Sequence, residues 1–265
     1  MLRVTGRRAD GYHLLQTVFR FIDFGDTLKF DVRADGLIAR PNAVAGVPEA
    51  ADLTLRAARL LQQAGAVREG AEITLEKRLP LGGGLGGGSS DAATSLLVLN
   101  RLWRLNWPRQ RLQELALELG ADVPVFVFGQ SALGEGVGEK LTPLDLPSAW
   151  YVVLIPPVEI ATARIFQDAD LIRDSIPTRI PPFSAASGIN DLEPVVCRLY
   201  PVVAEHLAWL AQFGSARVTG SGACVFAEFE REAAARAVLE QLPATMRGVV
   251  AQGLACHPLR DVVDC

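Results

Sequence analysis

The chain has 265 residues, 49% of them hydrophobic and 21% charged, and no apolar run approaches the roughly 18 residues of a membrane span. Lys and Arg total 26 against 30 Asp and Glu, a formal net charge of -4, without the basic excess of a nucleic-acid binder. The length suits one large domain or two ordinary ones, with chain enough to bury a core without disulfides or metals. Residues 1–12 carry Arg3, Arg7 and Arg8 but no apolar segment, so no secretory signal is expected and the cytoplasm is the expected location. Cys197, Cys224, Cys256 and Cys265 lie far apart with no CxxC pair, and His13, His206 and His257 complete no ligand set, so free thiols and no structural metal are expected.

In chain order, residues 14–22 are rich in β-branched and aromatic side chains and residues 27–32 alternate apolar with polar, which predicts a hairpin across Gly25-Asp26. Residues 53–64 repeat apolar positions at helical spacing up to Gly65, and 71–76 alternate as a strand. After a glycine-rich run, residues 91–103 are apolar on nearly every face, as in a helix buried mid-domain. Another helix is expected from Pro108, with Leu112, Leu115, Ala116 and Leu119 on one face and Gly120 as its stop. The polar, proline-punctuated stretch 142–147 reads as a domain crossing, giving expected domains 1–144 and 145–265. Beyond it come a buried-type strand at 150–155, helices at 201–213 and 232–242, and strands at 216–218 and 224–227 around Gly220-Ser221-Gly222. The irregular mixture predicts an α+β fold with helices on one side of the sheets rather than a doubly wound one.

The strongest chemical signal is Pro80-Leu81-Gly82-Gly83-Gly84-Leu85-Gly86-Gly87-Gly88-Ser89-Ser90-Asp91. Six glycines in seven positions give up about 0.5–1 kcal/mol each relative to alanine in a regular element. What they provide is bare backbone: consecutive N–H groups can converge on a ligand, and the helix that follows adds its unpaired N–H groups and positive dipole end. A polyphosphate suits that environment. A flexible linker is the plain alternative, but linkers do not join a strand directly to an apolar helix with Ser and Asp in capping positions. A Walker loop needs Lys-Ser/Thr after its last glycine, where Ser89-Ser90 stand. A dinucleotide fingerprint needs an acidic residue near 100–106, where none lies.

This run resembles the phosphate loop of the GHMP kinases. Residues 8–13 (Arg-Ala-Asp-Gly-Tyr-His), 120–126 (Gly-Ala-Asp-Val-Pro-Val-Phe) and 219–226 (Thr-Gly-Ser-Gly-Ala-Cys-Val-Phe) resemble the branch acting on a cytidine-diphosphate-linked methylerythritol. The resemblance implies a two-domain fold, with an N-terminal domain like domain 2 of ribosomal protein S5 and a ferredoxin-like C-terminal domain. It implies an ATP- and Mg2+-dependent kinase of the non-mevalonate isoprenoid route that phosphorylates the 2-hydroxyl of a small-molecule substrate, with no nucleic-acid or membrane partner. A rival within the family is a kinase of a sugar, homoserine or mevalonate; a rival outside it is a nucleotide-binding protein without turnover.

Carried over by position, Asp122 matches the catalytic aspartate that accepts or orients the hydroxyl proton; by residue type alone it is equally a turn aspartate after Gly120. Tyr12 and His13 match a cytidine site in which the ring stacks on the base and the imidazole bonds its edge, and Phe166 matches the aromatic on the other face; otherwise they read as a loop pair and a core Phe. Lys77 matches a position near the adenine or is a solvated strand-end charge. Pro80 to Ser90 match the phosphate loop, and Gly220-Ser221-Gly222 a motif that closes on the phosphates. Metal ligands are not assigned. Two departures stand out. The family's Pro-x-Ala-Lys-x-Asn strand, whose lysine neutralises charge beside the aspartate, has no counterpart after Met1, and a start displaced from the natural one is expected. Asp52 stands where the family has asparagine, and a carboxylate there repels ATP unless turned away.

Overall fold

The computed structural model describes residues 1–178 and 188–260. In chain order the strands are β1 (Leu2–Arg7), β2 (His13–Phe19), β3 (Phe21–Ile22), β4 (Thr27–Arg33), β5 (Ile38–Ala39), β6 (Gly70–Glu76), β7 (Ala132–Gly136), β8 (Lys140–Pro143), β9 (Trp150–Leu154), β10 (Ala216–Val218), β11 (Val225–Phe229) and β12 (Gly248–Leu254). The helices are α1 (Leu53–Ala64), α2 (Gly87–Leu102), α3 (Arg109–Leu117), α4 (Val123–Phe128), α5 (Thr162–Phe166), α6 (Glu193–Leu199), α7 (Pro201–Leu210) and α8 (Glu232–Leu239). The chain divides into two compact units that do not follow its order.

The first unit comprises Met1–Phe24, Gly82–Leu85 and Ser131–Ala255. It holds an antiparallel sheet in the order β1-β2-β7-β8 and a second in the order β10-β11-β9-β12-β3. The middle strand β9 is Trp-Tyr-Val-Val-Leu and is buried along nearly its whole length, as expected of a strand covered on both faces. Its core joins Val152 and Leu154 to Ile165, Leu192, Val203, Leu210 and Val225. The expected division after residue 144 falls inside this unit, between β8 and β9.

The second unit comprises Gly25–Leu81, Gly86–Gln130 and residues 256–260. Its sheet runs β4-β6-β5, with β5 parallel to β6. Helix α1 starts because Asp52 caps it, accepting the Thr54 N–H at 2.9 Å, and stops at Gly65, whose N–H reaches Leu61. Its buried face is Leu55, Ala57, Ala58 and Leu61, and each leucine so buried contributes about 1.5–3 kcal/mol. Helix α2 buries Ala92, Ala93, Leu96, Leu97 and Leu99 together with Asp91, Ser95 and Asn100, the all-round burial that its composition predicts.

The expected hairpin across Gly25-Asp26 does not form. Both strands exist, but β2 pairs with β1 and β7, β3 pairs with β12, and β4 pairs with β6 along its whole length, Thr27↔Glu76 to Arg33↔Gly70. The Asp26 carboxylate is engaged by the peptide N–H groups of Arg78 and Leu79, so the aspartate serves a distant segment instead of a tight turn. Helix α2 also begins four residues before the expected 91, inside the glycine run, because Gly86 takes the left-handed φ of +68° at its N-cap.

Candidate active site

In the second unit, the segment leaving β6 for the glycine run is fastened by one aspartate. Asp26 Oδ1 accepts the N–H groups of Arg78 at 2.6 Å and Leu79 at 2.8 Å, and its Oδ2 lies 2.6 Å from Lys77 Nζ. The same ammonium lies 2.8 Å from Oδ2 of Asp91, just past the first turn of α2. Lys77 is thus no solvated strand-end charge: its side chain is 16% exposed and those of Asp26 and Asp91 are 1% and 5% exposed. Burial works against the lysine's charge, but the two carboxylates outweigh it and raise the Lys77 pKa. Burial foremost, with the facing Asp26 adding to it, outweighs the pull of Lys77 and pushes Asp91 up to about 6.

Beside this clamp opens a recess of about 170 Å³ walled by Val44, Val47, Leu53, Leu75 and Leu81, with Arg40, Asp52, Lys77, Gly88 and Asp91 also lining it. The carboxylate expected to repel a nucleotide is matched here. Asp52 Oδ1 caps α1, and its Oδ2 lies 2.5 Å from Arg40 Nη1 with both side chains buried, within ion-pair reach though out of line for a hydrogen bond. Ser89 and Ser90 occupy the first turn of α2, where Ser90 closes its N–H on Gly86 at 2.8 Å and the earlier N–H groups have no intrahelical acceptor.

In the first unit, the loop's other half is pinned by its carbonyls. Gly82 accepts from Ala223 N–H at 2.9 Å and Ile160 N–H at 3.3 Å, Gly83 accepts from Cys224 N–H at 3.0 Å, and Gly84 accepts from the Thr219 hydroxyl at 3.0 Å. The Gly220-Ser221-Gly222 turn therefore packs under the glycine run rather than standing alone. Gly84 has a φ of +71°, and a Cβ there would sit 2.1 Å from the Thr219 carbonyl oxygen, so only glycine fits. The N–H groups of Gly83 and Gly84 have no partner among the described residues. Held carbonyls and unengaged amides are what a loop can offer to an anion.

Asp122 immediately precedes α4, and its side chain makes no capping hydrogen bond. Asp122 stands in the turn closed by the Val123 N–H on the Gly120 carbonyl at 3.2 Å, so its backbone has the turn role that its position allows while its side chain is left over. Its surface is open to solvent, yet protein crowds its other sides, and the lost hydration raises its carboxyl above the ordinary 3.8.

His13, back in the first unit, opens β2 opposite Arg7 of β1. Its ring packs on Phe166 with centroids 4.9 Å apart and planes at 33°, so two of the three expected base contacts are neighbours. Tyr12 is 60% exposed, held by its backbone in a turn in which Arg8 N–H meets Tyr12 O at 2.7 Å. Burial first, then the positive charges of Arg173 and Arg7, lower the His13 pKa below 6.5.

Residues 52–130 match the family profile "GHMP kinases N terminal domain" and residues 179–248 match "GHMP kinases C terminal". A 4-diphosphocytidyl-2-C-methyl-D-erythritol kinase of Nitrosospira multiformis is 60% identical over 266 residues, covering 99% of this chain and 90% of the relative. The enzyme of the same name from Thiobacillus denitrificans is 63% identical over 262 residues, covering 99% and 94%. The chain belongs to the GHMP kinase family. A crystal structure of 4-(cytidine 5'-diphospho)-2C-methyl-D-erythritol kinase, 34% identical, aligns with a TM-score of 0.80 over 95% of this chain and 94% of that one. A mevalonate kinase at 13% identity and a TM-score of 0.67 shares the fold alone.

As a GHMP kinase the chain is an ATP-dependent phosphotransferase of mixed helix and sheet, and among its described residues no helix is long and apolar enough to cross a membrane. Sequence reasoning missed Asp26, Arg40 and Arg173 as neighbours of the candidate residues. No local signal marks them: Asp26 reads as a turn residue, and its link to Lys77 spans 51 positions.

Proposed function

We propose that the chain phosphorylates the 2-hydroxyl of 4-diphosphocytidyl-2-C-methyl-D-erythritol with ATP, a step of isoprenoid biosynthesis. The observation that carries the phosphoryl-transfer half is the glycine run, its carbonyls anchored at Gly82, Gly83 and Gly84 while the amides of Gly83 and Gly84 stay unengaged. Relatives of that name at 60% and 63% identity support the substrate, as does an imidazole packed at a tilt against Phe166, next in sequence to an exposed tyrosine.

In this reading the triphosphate lies along Gly82 to Ser90, where peptide N–H groups oppose its charge without side chains in the way. The recess beside Lys77 and Asp52 takes the adenine; Pro80 and Leu81 form the approach to it. Tyr12, His13 and Phe166 hold the cytosine, and Asp122 is the catalytic residue. The substrate hydroxyl oxygen bonds to the γ-phosphorus, the bond from that phosphorus to the bridging oxygen breaks, ADP leaves, and the hydroxyl proton goes to the Asp122 carboxylate. Magnesium bound with ATP supplies neutralisation of the phosphate oxygens. The donor set fits an ion held largely by phosphate: among the described residues no three His, Cys, Asp or Glu side chains gather around one point, and Asp91 is tied to Lys77, which leaves the Ser89 and Ser90 hydroxyls as protein ligands.

The test is phosphate transfer from ATP to the cytidyl substrate, compared with Asp122→Asn. Loss of about 10²–10⁴ in kcat is expected for the variant. Because the Asp122 pKa lies above 3.8, the acid limb of the kcat profile should lie above that of a free aspartate, since the base form disappears as pH falls through the raised value. Equal rates for both proteins, or no transfer by either, would overturn the reading.

A further inference from the structure

The Arg173 side chain has more assigned partners than any residue of the base site itself. Its Nε donates to His13 Nε2 at 3.2 Å, its Nη1 to the Leu171 carbonyl at 2.9 Å, and its Nη2 to the carbonyls of Phe166 at 3.0 Å and Asp168 at 2.6 Å. One guanidinium thus holds both the imidazole and the backbone of the aromatic ring on which the imidazole packs at 4.9 Å.

A guanidinium has five N–H donors and no lone pair to offer. The nitrogen it faces must therefore present a lone pair, so His13 Nε2 carries no proton, and in the neutral ring the proton sits on Nδ1. A second proton on the ring would aim an N–H at a cation, and Arg7, the register partner of His13 on β1, adds a second positive charge against it. The Asp168 carboxylate offsets Arg173 only in part: its Oδ1 is engaged by Arg198 at 2.6 Å and by the Asp170 N–H at 3.0 Å, and Arg173 is the last of the influences on it. The lowered His13 pKa agrees with this arrangement.

We propose that Arg173 is a positioning residue that locks His13 as a neutral Nδ1–H donor, and thereby makes the base site select a pyrimidine whose ring N3 is a bare acceptor. Cytosine has such a nitrogen; uracil carries a proton on N3 and turns a donor toward the same edge. The idea rests on the cytidyl reading above and adds the reason for the choice of base. A site built around one hydrogen-bond polarity discriminates because the wrong base leaves a buried donor facing a donor.

The experiment measures binding of CDP and UDP by calorimetry to the wild type, Arg173→Met, Arg173→Lys, His13→Ala and the Arg173→Met/His13→Ala double variant, with nitrogen NMR of the histidine rings. The wild type should prefer CDP by about tenfold or more, with His13 protonated on Nδ1 alone. In Arg173→Met the preference should fall severalfold, the Nε2–H tautomer should appear, and the imidazole should titrate closer to 6.5. Arg173→Lys, which keeps a donor and a charge, should recover part of the preference. In the His13→Ala background, Arg173→Met should cost CDP affinity little more.

Equal wild-type affinity for CDP and UDP, a proton on His13 Nε2 in the wild type, or an Arg173→Met loss as large without His13 as with it would each overturn the proposal, the last by reducing Arg173 to a loop brace. Should Arg173→Met fail to fold, the wild-type tautomer and Arg173→Lys still decide. A wild type that prefers CDP with the stated tautomer but transfers no phosphate would overturn the proposed function and leave this inference standing.

Discussion

Lys77 in one unit and Arg173 in the other each tie a strand-side group to a helix-side one, yet their partners differ in kind. Lys77 is answered by two carboxylates that are 1% and 5% exposed; Arg173 is answered by three carbonyl dipoles and an imidazole nitrogen. A cation matched by anions loses its outward field and acts as a fastener, here between the end of β6 and the start of α2. A cation matched by dipoles keeps its field, and after burial it is the largest influence depressing the basicity of His13. The fastener stands beside the glycine run, where rigidity is wanted, and the field source stands beside His13, where on the proposed reading the polarity of a base edge is read.

The contrast can be broken by substitution. Lys77→Met should have the larger effect, because it leaves two buried carboxylates facing each other; a loss of about 3–5 kcal/mol in urea unfolding is expected. Arg173→Met removes hydrogen bonds to neutral, part-exposed groups and should cost about 1–2 kcal/mol. Equal losses would erase the distinction drawn between the two cations. Asp26→Asn keeps one acceptor for the Arg78 and Leu79 N–H groups and should fall between them, at about 1.5–3 kcal/mol, with a raised KM for ATP as the second readout.

The last effect is read as a change of slope with pH rather than as a loss at one pH. Asp91 has a folded-state pKa of about 6 against an ordinary 3.8. Between those values the folded chain takes up a proton that the unfolded chain does not, so this group's contribution to stability is greatest below 3.8 and is lost as pH rises through about 6. Asp91→Asn should flatten the fall in melting temperature across that window, and an unchanged slope would show that the clamp leaves Asp91 an ordinary carboxylate.

Much of the architecture was legible where periodicity and punctuation coincide. Helix α1 runs from its Asp52 cap to Gly65 as its spacing predicts, and β6, β9, α7 and α8 lie where expected to within a few residues. The pairing of strands was not legible. Residues 14–22 and 27–32 have the right alternation for a hairpin, yet their partners are Gly136 to Ala132 and Glu76 to Gly70, and alternation carries no information about who sits alongside. Strand β12 escaped notice because glycine stands at 248 and 253, which reads as turn chemistry; in the fold a Cβ at Gly248 would come 2.7 Å from Leu154, so closeness to β9 is the reason for the glycine. At the candidate site only the glycine run stood out by its own composition, while Asp122 and the Tyr12-His13 pair stood out through the resemblance to the family. The side chains that hold them, Asp26, Arg40 and Arg173, are ordinary charges until the fold brings their partners to them.

The hydroxyl of Thr219 reaches the Gly84 carbonyl across 135 positions. During synthesis, therefore, the nascent polypeptide emerges with its glycine run long before the segment that steadies it, and the anchored loop is among the last features to be completed. A fragment released by the ribosome at residue 144 would carry every glycine from 82 to 88 and still lack the floor beneath them.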